Sequence, residues 1–305
     1  MNNPIRFTDP WGLSIPEEEQ RIANIASVIR AHETGFVTTE RLIENLAQNG
    51  IDIFSGEVQS SITTPIGVFR QFYENQIIGA LSSAGTRSQM VTDTRPLLDS
   101  WLEVERLYGQ GLITGFVHNV PLIHQGRTQW CTLYAQFMGE AHHAGRFDIT
   151  QEEADRIIRG WVHGENRRTF GDNWIEFLAE HRPGIPYDRF SHFVTNRVGE
   201  QMFGPNVILD VSLDSLFDNL LTAITDGPLY AFYSNPTPGE AGHVAVIVGI
   251  AQAPGRSPLV LVNDSANQGE QIIQPFNNFV VALPSGMRFD YAIGMDPNST
   301  RFGLR

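Results

Sequence analysis

The apolar pattern changes period near Pro228, and that change limits the fold more than any other feature of the chain. Before it, apolar residues recur at the three- and four-residue spacing of amphipathic helices. After it they come in short runs rich in valine, isoleucine and aromatic residues, at 229–233, 243–250, 259–262, 271–274, 279–283 and 291–295. Gly, Pro, Asn and Ser separate these runs, as expected between strands. A helical half followed by a strand half predicts an α+β fold with segregated layers.

The helical signals are local. Ser14 and Glu17 form a capping box ahead of Ile22, Ile25, Ala26 and Ile29 on one face. Thr39 opens a second pattern with Leu42, Ile43 and Leu46, stopped at Asn49-Gly50. A third spans 66–81, and a fourth starts near Pro96 with Leu97, Trp101, Leu102 and Val104 inward. None of these four helices carries a cluster of reactive groups, so 14–115 reads as an accessory helical region that packs, covers or recognises. Later, Thr150 and Glu153 form another capping box before Ile157, Ile158, Trp161 and Val162, and helical patterns follow at 173–181, 189–203 and 212–225.

Composition narrows the function classes. The 305 residues are 41% hydrophobic and 18% charged, as in soluble globular proteins. No apolar run approaches the ~20 residues of a membrane span, and the first residues lack a signal-peptide pattern. The formal net charge of −13 disfavours nucleic acid and anionic cell-wall or membrane polymers as partners. One cysteine excludes an intrachain disulfide and a Cys-rich zinc site. Lysine is absent, and all 21 basic residues are arginine, where ordinary usage would give roughly 15–20 lysines. Avoidance of lysine-directed modification, such as ubiquitin attachment in a host cell, is one reading. Glu140 with His142-His143 lacks the spacing of a facing histidine pair and reads as a solvated helix face. No pattern implies a cofactor or a metal.

The reactive candidates lie in the second half. Cys131 follows Gln125 by six positions and opens a helical pattern. Unpaired N–H groups and the dipole at a helix N-terminus favour a thiolate, and Gln125 could donate to an oxyanion. His243 opens a strand after Gly242, a position from which an imidazole can reach a helix end and act as base. The next strand run ends in Asn263-Asp264, either of which could orient that imidazole.

These residues, with Val120-Pro-Leu-Ile-His-Gln125, Gly227-Pro-Leu-Tyr and Gly242-His243-Val-Ala-Val-Ile-Val-Gly249, resemble a papain-like cysteine protease, closest to the bacterial C39/C70-type branch. The resemblance spans about 117–285. It implies a papain-like fold over 116–305, a helical half and then an antiparallel sheet half. It also implies Cys131 as nucleophile, His243 as base, Asp264 or Asn263 as orienter, with Asp264 preferred, and Gln125 as oxyanion donor. Thr132 stands where the family often has Trp, and Ser265 where it often has Pro.

Asn3-Pro4-Ile-Arg-Phe-Thr-Asp9-Pro10-Trp11-Gly12-Leu13 resembles the junction that ends the shell of Rhs/YD-repeat proteins ahead of a variable toxin. That resemblance makes 1–13 a junction remnant. It implies encapsulation before release, delivery into a target-cell cytoplasm, a protein substrate there and a cognate immunity protein. A glutamine deamidase or transglutaminase would use the same residues. An inactive binding module working through its N-terminal helices is the alternative from another class.

Overall fold

A helix that starts at Cys131 and a strand that starts at His243 are the two elements around which the second half is organised. The computed structural model describes residues 62–83, 87–126, 130–170, 202–203, 213–234, 242–266, 271–281, 287–295 and 301–304, with single positions between 24 and 48. The chain divides into two units, one of 1–62 and 69–114, the other of 63–68 and 115–305.

The first unit is helical where it is described. Asn24, Ser27, Val28 and Ala31, and later Arg41, Glu44, Asn45 and Gln48, are in helical conformation. The junction motif at 1–13 and the apolar faces expected at 22–29 and 42–46 lie outside the described residues. Helix α1 is Pro65–Ser83 and α2 is Arg87–Gly109. Helix α2 begins nine residues before Pro96, which lies inside it rather than near its start. Pro96 is exposed, and the helix accommodates the missing N–H because Leu98, Trp101, Val104 and Leu107 bury its inner face. Arg70 Nε and Nη2 each lie 2.6 Å from a different oxygen of the buried Glu105 carboxylate. The guanidinium also lies over the Tyr108 ring, 5.5 Å from its centroid.

The second unit is α+β, built on an antiparallel sheet. Its helices are α3 (Cys131–His143), α4 (Gln151–Phe170), α5 (Leu213–Ala223) and the short α6 (Phe276–Val281). The strands are β1 (Thr114–Val117), β2 (Met202–Phe203), β3 (Leu229–Ser234), β4 (His243–Gln252), β5 (Leu259–Asn263), β6 (Gln271–Pro275) and β7 (Arg288–Gly294). Among the described residues the sheet order is β2-β7-β3-β4-β5-β6, with β1 pairing β4. Strand β3 ends opposite Ile247 of β4, and β1 takes over beyond it, where His118 N–H donates to the Val248 carbonyl at 2.8 Å. A bulge between Ile247 and Gly249 marks the handover. Gly115 has φ +132°, and a Cβ there would run into the Ile250 carbonyl, so this close approach requires glycine.

Every residue of β4 but its last is buried, because helices cover the sheet on both sides. Leu229, Ala231 and Tyr233 of β3 and Ala245 and Ile247 of β4 join Leu216, Phe217 and Leu220 of α5 and Phe276 and Phe279 of α6 in one cluster. Alternate residues point the other way. Helix α3 packs on β4, and its Gly139 lies where a Cβ would strike Met295 Sδ and the Tyr230 hydroxyl.

Two expectations need correction, one for a strand and one for a helix. The strand run expected at 279–283 is helical over 279–281, inside α6, and its last two positions lie outside the described residues. Phe276 and Phe279, three apart, both bury against α5 and the sheet, and Phe276 N–H bonds to the Pro258 carbonyl at 2.8 Å. The helical pattern at 189–203 ends in strand at Met202 and Phe203, which pair with Ile293 and Ala292. The rest of that pattern, and that at 173–181, lie outside the described residues.

Candidate active site

Cys131 is the first residue of α3, preceded by Trp130 in a non-helical conformation with no side-chain cap. The first-turn N–H groups therefore face the end that carries the thiol. His243 is the first residue of β4, and Asp264 follows the last residue of β5. Pairing of β4 with β5 sets Val246 opposite Asn263, which brings the start of one strand beside the end of the other.

The three side chains act on one another. His243 Nε2 lies 2.7 Å from Asp264 Oδ1, and the imidazole and the Cys131 thiol shift each other's ionisation. The same Asp264 oxygen accepts the Ala266 N–H at 2.9 Å, which fixes the carboxylate. His243 and Asp264 are buried, and Cys131 is half-buried. Burial alone would push the His243 imidazolium down. The hydrogen bonds to Asp264 and Cys131 and their charges outweigh it and hold the group up to about 10. Burial alone would raise the Cys131 thiol, but the hydrogen bond and charge of His243, the Val244 backbone and Thr132 bring it below its ordinary value. Both shifts favour a thiolate beside an imidazolium. Thr132 Oγ1 is 3.9 Å from the sulfur.

Asn263, the other residue considered as orienter, points elsewhere. It is fully buried, its amide donates to the Val120 carbonyl at 3.2 Å and accepts from Gln271 at 2.8 Å. Gln125 is held by Ser265, whose hydroxyl donates to the Gln125 amide oxygen at 3.0 Å and whose carbonyl accepts the Gln125 N–H at 2.8 Å. Thus Asn263, Asp264 and Ser265, three residues in a row, hold the 120–125 loop, the imidazole and the glutamine.

The loop is pinned along its length. His118 Nε2 donates to the Ile224 carbonyl at 2.6 Å and His142 Nδ1 to that of Asn119 at 2.7 Å. The Gln151 amide pairs with both backbone groups of His124, at 2.7 and 2.6 Å. Sequence reasoning did not single out Ser265 or Gln151, because their roles arise only from distant contacts. A serine directly after Asp264 was the one visible signal.

Glu140, His142 and His143 are not a solvated face. Glu140 is buried and accepts the Arg301 and Phe302 N–H groups at 2.8 and 2.9 Å. The two histidines are half-buried, and His142 meets His118 edge-on at 5.3 Å. Among the described residues no group of three or more His, Cys, Asp or Glu is placed to hold a metal ion, and no helix is long and apolar enough to cross a membrane.

Neither the scan against protein-family models nor the search of curated proteins finds a match to this chain.

Proposed function

We propose that the chain is a cysteine-nucleophile enzyme of the papain-like kind that opens amide bonds of proteins. The observation that carries this reading is the His243–Asp264 hydrogen bond beside a Cys131 at a helix start, with the thiol lowered and the imidazolium raised. A poised thiolate attacks a carbonyl, the Gln125 amide and the Cys131 N–H stabilise the oxyanion, and the His243 imidazolium protonates the leaving amine. The order of the half-domains, helix first and antiparallel sheet second, supports a papain-like assignment. The Asp9-Pro10-Trp11-Gly12-Leu13 motif supports delivery as the terminal toxin of an Rhs/YD-repeat protein, with a protein substrate in the recipient cell and an immunity protein as partner.

Iodoacetamide labelling and proteomics of cells expressing the chain test the reading. The expected outcome is selective alkylation of Cys131 near neutral pH, with new protein termini in cells expressing the parent chain and none in cells expressing Cys131→Ala. Equal toxicity of Cys131→Ala and the parent would refute an enzymatic role and favour a binding module.

A further inference from the structure

We propose that lysine ε-amines of other proteins, as well as water, accept the acyl group from Cys131, so that the site joins proteins by isopeptide bonds. The proposal rests on the reading of Cys131 as an amide-opening nucleophile and concerns what resolves its thioester.

Two observations carry it. The first is the basic residue set: 21 arginines and no lysine in 305 residues. Low genomic A+T content does not account for it, because 26 isoleucines and 18 asparagines, whose codons are A/T-rich, are present. Structural demand for guanidinium does not account for it either. Arg70 needs its planar fork to bind Glu105 in the buried pair. Arg41, Arg95, Arg156 and Arg159 are exposed on helices, where lysine has a similar helix preference and carries the same charge. The chain keeps its positive charges and lacks only side-chain primary amines. A guanidinium stays protonated and is no nucleophile, whereas roughly one lysine in a thousand is neutral and nucleophilic at pH 7.4. A cleavage specificity for positive charge would not spare exposed arginine while excluding lysine. Avoidance of aminolysis would.

The second observation is the site itself. His243 and Asp264 are buried and Cys131 is half-buried, so the base is held in place by the protein while the thiol, and a thioester formed on it, stays open to an incoming amine. An acyl-enzyme that outlives hydrolysis would meet the surface amines of other copies of the same chain whenever two copies collide. A lysine-free surface removes that side reaction.

The steps balance. The Cys131 thiolate attacks R–CO–NH–R′, and the His243 imidazolium protonates the departing amine, leaving R–CO–S–Cys131 and R′–NH2. A neutral lysine amine then attacks the same carbonyl, the C–S bond breaks, and R–CO–NH–Lys forms. The amine proton passes to His243, restoring the thiolate and imidazolium.

The test incubates the full chain with recipient-cell extract and dansylcadaverine, alongside Arg41→Lys and Arg156→Lys variants with and without Cys131→Ala. Neither arginine belongs to the site. Expected are dansyl incorporation into extract proteins that is lost in Cys131→Ala, and acylation of the introduced lysines that is lost in the same background. Amide opening that proceeds with no dansyl incorporation and unmodified introduced lysines overturns the proposal while leaving the proposed function standing. Ubiquitin conjugation of the introduced lysines in the Cys131→Ala background, without Cys131-dependent dansyl incorporation, also overturns it and assigns the missing lysines to an outside enzyme. If Cys131 opens no amide in the extract, both readings fall.

Discussion

Asp264 and Asn263 are neighbours with opposite surroundings, and substitution separates their roles. Asp264 touches the imidazole, whereas Asn263 ties Val120 to Gln271. Asp264→Ala is expected to lower turnover by ~10²–10⁴-fold and to lower stability near neutral pH as well, because the buried imidazolium loses its partner. Asn263→Ala is expected to destabilise by about 1–3 kcal/mol, since it strands a buried carbonyl; urea titration alongside amide-opening assays distinguishes the two. Equal kinetic losses with no change in stability would show that the roles are shared. Tyr233 gives a prediction of opposite sign. Its hydroxyl is fully buried with no hydrogen-bond partner among the described residues, and burial followed by the Asp264 charge keeps it protonated far above its ordinary range. Tyr233→Phe removes a polar group whose burial costs about 1–3 kcal/mol, so the urea midpoint is expected to rise, and a fall would mean that the hydroxyl contributes. Cys131, His243 and Asp264 were legible in the sequence because each sits at the end of an element with a clear local signal. Ser265 was not, because its partner lies 140 positions away.

Helix α3 carries the thiol, so its seating on the sheet sets where the sulfur stands. Gly139 lies two turns along it, against Met295 and Tyr230. Gly139→Ala is expected to cost about 1–3 kcal/mol despite alanine's better helix propensity. It is also expected to slow Cys131 alkylation by moving the helix off β4; a gain in thermal stability would contradict this packing. Strands β3, β4 and β5 were legible because they are continuous apolar runs between turn signals. Strand β1 was not, being four residues long with a glycine inside. The apolar run at 279–283 was misread because a short run has no period to separate strand from helix. Its neighbours decide, since Phe276 and Phe279 share a core that only a helical turn can reach.

For the whole molecule, the ionisation of the site sets a pH window. His243 is raised to about 10, so its contribution to stability is complete below the ordinary imidazole range and is lost as pH rises through about 10. Cys131 is lowered, so its contribution is complete above the ordinary thiol range and is lost as pH falls through its lowered value. Turnover is expected to follow a bell, falling on the alkaline side near pH 10 as His243 loses its proton. Alkylation of Cys131 is expected to keep only the acidic limb, because the thiolate persists after His243 is neutral. Stopped-flow alkylation and turnover across pH 4–11 check this, and parallel alkaline limbs would sink the assignment. The acidic composition with its exposed arginines bears on partners and not on this window, which is set inside the second unit.

The run Asn263, Asp264, Ser265 has a genetic consequence. Each residue serves a different partner, and the assignment depends on counting from the end of β5. Loss or gain of one codon there would hand each task to the wrong side chain at once, in a gene whose reading frame and fold were otherwise intact. Such in-frame indels are expected to abolish turnover and to lower the urea midpoint, since Asn263 is buried in the ladder between β4 and β6, which makes this stretch the place where length, more than residue identity, is under constraint.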